Sequence, residues 1–328
     1  MFRSIIVFSF FIAFVKSFST KQMNNFEFLN FKEKYNKNYI SENQEYNSYQ
    51  IFNRNLDLIK HRNLNLKSYK LGINQFTDQT MDYIQSNILC SNFKLNTQTS
   101  DLSFLSNSPI KKKNINWVKD GFVRQVKNQG SCGSCWAFST TSALESMIDI
   151  NMGQKFLLSE QELVSCSKKN FGCNGGWMHK AMDYVKEKNG LFLANDYPYI
   201  EKNNECRTDI SENKRIKSSG NFHYSILPSK SVESIKKALT INPVCVAVKA
   251  DFDFVFYKDG IFDKDLEEDN SINHAILLVG MDNDKNCWTI QNSWGVEWGN
   301  KGFMDIFIKD KNGVAGINTY CVVPIYNI

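Results

Sequence analysis

The first residues of the chain form an apolar run that is too short to cross a membrane. The run extends from Ile5 to Val15 behind Arg3, and small residues follow at Ser17 and Ser19. A bilayer span needs roughly 20 apolar residues, whereas a signal peptide needs only a short apolar run between a positive charge and small residues. The pattern therefore favours a cleaved signal peptide over residues 1–19 and disfavours the alternative, a membrane anchor.

A helical spacing of hydrophobic residues comes next, from about Lys21 to Asn63. Aromatic and aliphatic residues recur there at intervals of three and four, which predicts helix. They are Phe28, Phe31, Tyr35, Tyr46, Tyr49, Phe52, Leu56 and Ile59. Between Leu89 and Pro109 the sequence turns to Ser, Asn, Thr and Gln, as in an exposed, protease-accessible connector. We therefore place a domain boundary in this connector.

The sequence changes character again from Asn116 onward, where Gly, Trp and Cys become frequent. The stretch from Cys135 to Ile150 has a helical pattern, and the apolar runs Val244–Val248 and Ala275–Val279 are typical of buried strands. Helical patterns occupy the first half of this region and strand patterns the second half. We therefore predict an α+β body of two lobes, with a site in the cleft between them.

Length and charge narrow the function classes only a little. The chain has 328 residues, enough for one large domain or two, and a net charge of +5 with acids and bases spread along it. Apart from the three lysines at 111–113 it has no dense basic tract, so nucleic-acid binding is not expected. A chain that carries a signal peptide enters an oxidising compartment, where paired cysteines are stable.

The most informative stretch is Gln129–Trp136, which reads QGSCGSCW. It places Cys135 where a Gly/Ser loop meets the start of a helix, so free backbone N–H groups and the positive end of the helix dipole favour a thiolate. A reactive cysteine needs such a setting. The alternative is that Cys132 and Cys135 form a structural or redox pair, as many C-x-x-C sequences do.

A thiol nucleophile needs a base within hydrogen-bond reach, and the chain offers four histidines. His274 is the best candidate because it opens the apolar run that ends at Val279, which could hold an imidazole rigidly at a cleft wall. The stretch Asp282–Asp284 predicts a turn. A hairpin around that turn would bring Asn292, the first residue of the string Asn292-Ser293-Trp294-Gly295, back near His274.

Together, these strings resemble the papain family of cysteine proteases, in its cathepsin L-like subgroup, over nearly everything after the signal. The resemblance implies a papain-like fold with a helical lobe and a β-barrel lobe, and endopeptidase activity on protein or peptide substrates through a thioester. It implies no cofactor, and the Cys and His residues also lack the clustered spacing of a zinc site. We expect a monomer that binds no nucleic acid and has no stable membrane anchor.

The resemblance also assigns roles at the site. It implies that Cys135 is the nucleophile and His274 its general base, while Asn292 accepts the imidazole N–H and Trp294 shields that bond from water. Gln129 would supply a side-chain N–H that, with the backbone N–H of Cys135, stabilises the oxyanion. Each such donor is worth roughly 3 kcal/mol.

The chain has nine cysteines, so one nucleophile leaves eight. By the same resemblance, Cys132 pairs with Cys173, and Cys166 pairs with Cys206. The disulfide that is common in the β lobe of relatives is expected to be lost, because its C-terminal position falls on Ala315. The pairing of the other cysteines stays open: Cys90, Cys245, Cys287 and Cys321.

The N-terminal segment resembles the inhibitory propeptide of cathepsin L-like proteases. A companion motif runs from Gly72 to Asp78, but Gln44 and Ser48 stand where the helix motif expects Glu and Arg, which removes a charge pair. We interpret residues 20–110 as a propeptide that inhibits the peptidase domain at 111–328 until it is removed. A helix without a special role is the alternative. The helix motif rests on Phe52, Asn55, Ile59 and Asn63.

A substrate site is also carried over from the family. Gly175 and Gly176 would lie along the bound substrate, with Gly176 offering backbone hydrogen bonds. The floor of the S2 pocket falls on Tyr320, where many relatives have a small or acidic residue. An uncharged, shallow pocket predicts Leu or Val over Phe at P2 and poor acceptance of Arg; the alternative is that Tyr320 turns out to solvent. The walls would be Trp177, Met178, Ala247, Ile272 and Ala275.

A catalytically silent binding protein of the same fold is the main rival from another class. Such proteins usually replace the nucleophile, whereas Cys135, His274, Asn292 and Gln129 are all present. We find no inserted loop that would block one end of the cleft, which favours an endopeptidase over an exopeptidase. The expected location is the secretory pathway, ending in a lysosome-like compartment or outside the cell.

Overall fold

The computed structural model describes residues 26–90, 114–217, 222–265 and 271–326. The predicted signal peptide lies outside these residues, as does most of the predicted connector. Within the described ranges, no helix has the length and apolar character that a membrane span requires.

Two helices divide the predicted helical stretch of the N-terminal segment, which we define as residues 26–90. Helix α1 comprises residues 26–34, and helix α2 is Glu42–Asn63. The break arises because Asn36 adopts a left-handed backbone conformation, with φ of 47°. The two helices share a buried core made of Phe28, Phe31, Phe52 and Leu56.

Gln44 caps the start of α2, at the position where the motif expects an acid. Its side-chain Oε1 accepts a hydrogen bond from the backbone N–H of Ile40 at 2.7 Å, while the hydroxyl of Ser41 accepts one from the backbone N–H of Gln44. An ion pair between Lys32 and Glu45 ties α1 to α2. The helix start is therefore stabilised without the expected charge pair.

The rest of the N-terminal segment joins it to the main body. Strand β1, Tyr69–Leu71, pairs antiparallel with β7, Tyr257–Phe262, and so adds an edge strand to the main sheet. Helix α3, Met81–Asn87, follows and leads to Cys90. The segment is thus bound to the body by main-chain hydrogen bonds as well as by side chains.

The helical lobe is built on helix α4, Cys135–Met152, which confirms the predicted helix and extends it to Met152. It ends at Gly153, whose φ of 65° is the left-handed conformation typical of a C-terminal cap. Almost all of α4 is buried. The lobe is completed by α5 (Glu160–Cys166), α6 (Met178–Glu187), a short 3₁₀ turn (Glu212–Lys214) and the paired strands β3 (Gly190–Leu191) and β4 (Ile216–Lys217).

The second lobe is a largely antiparallel sheet. Its further strands are β2 (Asn114–Asn116), β5 (Phe222–Ile226), β6 (Val244–Val248), β8 (His274–Asp282), β9 (Cys287–Gln291), β10 (Phe303–Phe307) and β11 (Cys321–Tyr326). The strand order is β1-β7-β10-β9-β8-β6-β11-β5, and β2 pairs with β8. Both predicted strands are present, and β8 and β9 form the predicted hairpin. Short helices α7 (Val232–Leu239) and α8 (Phe252–Val255) cross the lobe.

One buried core lies mainly in the β lobe, and a second joins the helical lobe to the facing side of the sheet; α4 belongs to the second. The Ser139 hydroxyl of α4 donates to the carbonyl of Ile276 on β8 at 2.8 Å, and the Cys245 thiol of β6 donates to the carbonyl of Ser139 at 3.2 Å. These bonds fix the start of α4 against the start of β8. The helical lobe contains two disulfides, Cys132–Cys173 and Cys166–Cys206.

A buried charge cluster holds α4 to the start of α5. Lys127 Nζ donates to Glu145 Oε1 at 2.6 Å and to Glu160 Oε1 at 2.5 Å, and the Leu158 N–H also donates to Glu145. Burial, opposed by Lys127 and aided by the neighbouring charge of Glu160, raises the pKa of Glu145 to about 7. The Glu145 carboxyl is therefore easier to protonate in the fold than in the unfolded chain.

This shift predicts a domain that is more stable in acid. A raised folded-state pKa stabilises the fold below the unfolded value of 4.5, and that stabilisation is lost as pH rises through about 7. The loss amounts to roughly 3 kcal/mol. Glu145→Gln should flatten the fall in melting temperature between about pH 5 and pH 8, measured on a Cys135→Ala background to prevent self-digestion. Glu187→Gln, which removes an exposed partner of Lys169, should leave that fall unchanged; equal slopes for Glu145→Gln and the unsubstituted background would refute the assignment.

Candidate active site

Cys135 is the first residue of α4 and lies at the boundary between the lobes. The preceding Ser134 makes no side-chain cap, so the positive end of the helix dipole acts on the thiol. The backbone N–H of Ala275, on β8, donates to Cys135 Sγ at 3.3 Å. The thiol is fully buried in the precursor, because the N-terminal segment covers it.

His274, the first residue of β8, lies next to this thiol. Its Nε2 is 2.8 Å from Asn292 Oδ1, an oxygen that only accepts, so the ring proton is on Nε2. The hydrogen bond between His274 and the Cys135 thiol therefore involves the other ring nitrogen, Nδ1. The ring of Trp294 stacks on the imidazole with centroids 4.5 Å apart. The β8–β9 hairpin therefore assembles His274 and Asn292 beside the start of α4.

The surroundings of Cys135 favour the thiolate. Burial by itself would raise the pKa of Cys135, but the hydrogen bond from Cys90, the charge and hydrogen bond of His274, and the N–H of Ala275 together hold it well below its ordinary value. The pKa of Cys245, a buried thiol without such partners, is raised by burial to about 12. The two thiols differ because only Cys135 lies beside an imidazole at a helix start.

Gln129 is buried in the same site and held in one orientation. Its Oε1 accepts from the Ser293 hydroxyl at 2.7 Å, and its backbone N–H donates to the carbonyl of Ser293 at 2.9 Å. Its Nε2 donates to the carbonyl of Cys132 at 2.8 Å and to that of Ile88 at 2.7 Å. A peptide carbonyl of the N-terminal segment thus occupies the amide donor of Gln129.

The N-terminal segment lies along the site on both sides of Ile88. Upstream, Gln75 Nε2 donates to the carbonyl of Trp294 at 2.6 Å, and Phe76 packs edge-on against the Trp294 ring at 5.3 Å. Downstream, the backbone N–H of Cys90 donates to the carbonyl of Asn273 at 2.7 Å. The segment therefore covers the Cys135 thiol, the His274 imidazole and the Gln129 amide at once.

The predicted S2 residues lie together. Tyr320 is 2 % exposed rather than turned to solvent. Its ring packs edge-on against Trp177 at 5.0 Å, and its hydroxyl is hydrogen-bonded to Nδ1 of His179. The predicted walls belong to the same buried cluster as Tyr320 and Cys135: Trp177, Met178, Ala247, Ile272 and Ala275.

The predicted glycines border the cleft where the N-terminal segment passes. A Cβ on Gly175 would lie 3.1 Å from the Cβ of Cys90, and one on Gly176 would lie 2.7 Å from the Trp136 ring. Gly175 and Gly176 follow Cys173 of the Cys132–Cys173 disulfide by two and three positions.

Three residues at the site were not identified from the sequence: Ser293, His179 and Cys90. Ser293 belongs to the string that marked Asn292, but its contact with Gln129 spans 164 residues, which no local pattern reveals. His179 directly follows Met178, a predicted wall residue of the S2 pocket, and this adjacency could have identified it as part of the site. Cys90 was an unassigned cysteine in an otherwise polar region.

Within the described ranges, no group of three or more His, Cys, Asp or Glu side chains is placed to hold a metal ion. The site consists instead of a thiol, an imidazole and two amides. Such a set can transfer an acyl group through sulfur, with the imidazole as the proton carrier.

Comparison with known proteins identifies both parts of the chain. Residues 111–325 match the model of the papain family of cysteine proteases, and residues 28–82 match that of the cathepsin propeptide inhibitor domain. Cathepsin L 2 of Paramecium tetraurelia is 35 % identical over 92 % of this chain and 91 % of its own length. The senescence-specific cysteine protease SAG12 of Arabidopsis thaliana is 34 % identical over 87 % of this chain and 85 % of its own.

Solved structures of precursors are similar to the whole described fold. Digestive procathepsin L2 from the larval midgut of Tenebrio molitor superimposes with a TM-score of 0.81 at 33 % identity, covering 92 % of this chain and 99 % of that one. The recombinant stem bromelain precursor gives a TM-score of 0.81 at 30 % identity, covering 93 % and 99 %. The chain belongs to the papain family of cysteine proteases and is made as a zymogen inhibited by its own propeptide.

Proposed function

We propose that the protease acts through Cys135 as nucleophile and His274 as the group that accepts and returns the proton. The low thiol pKa and the hydrogen bond from His274 Nε2 to Asn292 support these roles. Asn292 orients the ring so that Nδ1 meets the thiol, and Trp294 keeps water from the imidazole–amide bond. Asn292 and Trp294 are thus positioning residues for the imidazole.

Gln129 is the proposed oxyanion donor, together with the backbone N–H of Cys135. The observation that carries this proposal is the 2.7 Å hydrogen bond from Gln129 Nε2 to the carbonyl of Ile88, since a peptide carbonyl already rests on this amide in the zymogen. Ser293 keeps the amide from rotating because it accepts from the backbone of Gln129 and donates to its side-chain oxygen. A preorganised donor of this kind stabilises developing negative charge without reorganisation.

The reaction then proceeds in two acyl transfers. The Cys135 thiolate attacks the peptide carbonyl, the oxyanion is held at Gln129, and protonated His274 gives its proton to the leaving amine. The resulting thioester is hydrolysed by water, which His274 deprotonates, and the thiolate is regenerated. The Cys135–His274–Asn292 site accounts for the whole cycle.

The substrates are proteins or peptides cut within the chain. The sequence supports endopeptidase action because no insertion that would close one end of the cleft was found. We place the enzyme in the secretory pathway, ending in a lysosome-like compartment or outside the cell. This location is supported by the two disulfides, which are stable in an oxidising compartment, and by Glu145, whose raised pKa stabilises the fold at acid pH.

The function is tested by incubating the purified precursor at about pH 5 with a thiol reductant. We expect a loss of size, a new N-terminus between about Ser100 and Asn116, and hydrolysis of a peptide substrate that rises as the precursor disappears. A correctly processed product that hydrolyses no peptide would favour the silent binding protein. A new N-terminus inside α4 would contradict the domain boundary.

Tyr320 is the proposed floor of the S2 pocket and makes it shallow. Its ring is wedged against Trp177 and its hydroxyl is bonded to His179, so it is held in place rather than free to swing out. The Tyr320 side chain also carries no charge to pair with Arg. We expect Leu or Val to be preferred over Phe at P2 by roughly 1–3 kcal/mol, with Arg poor.

A P2 peptide library checks this specificity. Tyr320→Ala should raise kcat/KM for Phe relative to Leu, while Tyr320→Phe, which keeps the ring, should retain the original preference. If the wild type already prefers Phe and Tyr320→Ala changes nothing, Tyr320 is not the floor.

A further inference from the structure

Cys90 of the propeptide lies directly against the nucleophile. Its Sγ is 2.9 Å from Cys135 Sγ, closer than two non-bonded sulfurs normally approach. Both side chains are buried, and neither is part of a disulfide in the structure. The two thiols come from segments that are 45 positions apart in sequence.

The cleft holds Cys90 in this position from several sides. Its backbone N–H donates to the carbonyl of Asn273, and its Sγ lies 3.6 Å from the carbonyl of Gly133. Gly175, with φ of 109°, allows the approach because a side chain there would press on the Cys90 Cβ at 3.1 Å. Ile88, two residues earlier, is fixed by Gln129. Cys90 is thus presented to Cys135 by the same contacts that seat the propeptide.

The chemistry of the pair suits bond formation. Cys135 is the thiolate of the two, because His274 and the helix start favour its ionised form. Burial raises the pKa of Cys90, so Cys90 keeps its proton and donates to Cys135. A disulfide bond is about 2.0 Å long, so the two sulfurs need to move roughly 0.9 Å closer.

We propose that Cys90 and Cys135 form a reversible disulfide that latches the propeptide covalently onto the nucleophile in an oxidising compartment. This latch rests on the proposed role of Cys135. It would remain closed even after the connector is cut, because the bond and not the connector then holds the propeptide. Activation would therefore require reduction as well as cleavage.

The oxidant is a low-molecular-weight disulfide such as oxidised glutathione. When the propeptide opens transiently, the Cys135 thiolate attacks one sulfur of this oxidant, forming a mixed disulfide and releasing one glutathione thiolate. Cys90 then loses its proton to solvent and attacks the Cys135 sulfur, which releases the second glutathione thiolate. Cys90 and Cys135 are each oxidised by one electron, and the glutathione disulfide is reduced to two thiols. A thiol reductant reverses both steps.

The other free cysteines offer a matched control. Cys245, Cys287 and Cys321 lie on β6, β9 and β11, within the β lobe. Burial raises the pKa of Cys287 to about 11, so its thiol reacts slowly. Cys287→Ser therefore removes a free thiol without touching the proposed latch.

The test uses the full precursor treated with oxidised glutathione, blocked with iodoacetamide and digested without reduction. Mass spectrometry should find a cross-linked peptide that contains Cys90 and Cys135, in the wild type and in Cys287→Ser but not in Cys90→Ser. Glutathione on Cys135 together with alkylated Cys90 in the wild type would overturn the proposal.

A second measurement gives the consequence for activity. After oxidation, the wild type should need at least about tenfold more reductant for half-activation than Cys90→Ser, because an intramolecular disulfide is harder to reduce than a mixed one. Equal reductant requirements would also overturn the latch. A Cys90→Ser precursor that is fully reduced and processed but hydrolyses nothing would instead contradict the proposed function, so the two failures are distinguishable.

Discussion

Cys135→Ala should abolish peptide hydrolysis, with a loss in kcat on the order of 10⁶. Cys90, the thiol that lies against Cys135, leaves with the propeptide, and the other free cysteines lie on strands β6, β9 and β11, so no neighbouring group can replace the sulfur. The fold should survive because the substitution removes only the sulfur atom of the first residue of α4. The precursor should consequently accumulate at full length at acid pH with reductant.

Cys287→Ala is the matched control for this substitution. Cys287 is another free, buried cysteine, but it lies on β9 with no imidazole against it. Its replacement should leave kcat/KM and self-processing within about twofold of the wild type, since it removes only a packing contact. Turnover by purified Cys135→Ala, measured with a contaminating protease excluded, would refute the nucleophile assignment.

His274→Ala should lower kcat by about 10⁵ to 10⁶, almost as much as loss of the nucleophile. In the proposed mechanism the imidazole carries the proton, and it also lowers the pKa of Cys135, so two effects disappear with one side chain. The double variant Cys135→Ala/His274→Ala should be no slower than either single variant, because the two groups act as a unit. His223→Ala, on β5 away from the cleft, is the control and should retain activity.

The pH dependence of alkylation separates this effect from misfolding. In the processed wild type Cys135 should react with iodoacetamide well below the pH at which an ordinary thiol reacts. In His274→Ala, freed of its propeptide by added wild-type enzyme that is removed before labelling, Cys135 should still react, but only at higher pH, because the thiolate has lost the charge and hydrogen bond of His274. An unchanged profile would mean that His274 does not control the ionisation of Cys135.

Local patterns in the sequence were sufficient to predict the central strands and the hairpin of the β lobe. The apolar runs at Val244–Val248 and Ala275–Val279 predicted strands because a run bounded by turn residues can bury both of its faces. The turn at Asp282–Asp284 predicted the hairpin, and the pairing of Asp282 with Cys287 closes it. The hairpin then sets the distance from His274 to Asn292, so this part of the site follows from neighbouring residues.

Contacts between distant segments could not be read in the same way. The interruption between α1 and α2 depends on a left-handed Asn36, a conformation that Asn allows but does not demand. The contact of Cys90 with Cys135 depends on how the propeptide docks, through β1 on β7 and Gln75 on Trp294. Neither Asn36 nor Cys90 belongs to a periodic pattern in the sequence. The position of each is decided by packing between distant segments.

The central claim is that one thiol, Cys135, carries the reaction as a thiolate. Its most direct test is to titrate the processed enzyme with iodoacetamide at about pH 5.5 and to measure, in the same samples, residual activity and the labelled fraction of every cysteine. The account predicts that activity falls in proportion to labelling of Cys135, while Cys245, Cys287 and Cys321 stay unlabelled. Full activity with Cys135 labelled, or lost activity with Cys135 free, would contradict it.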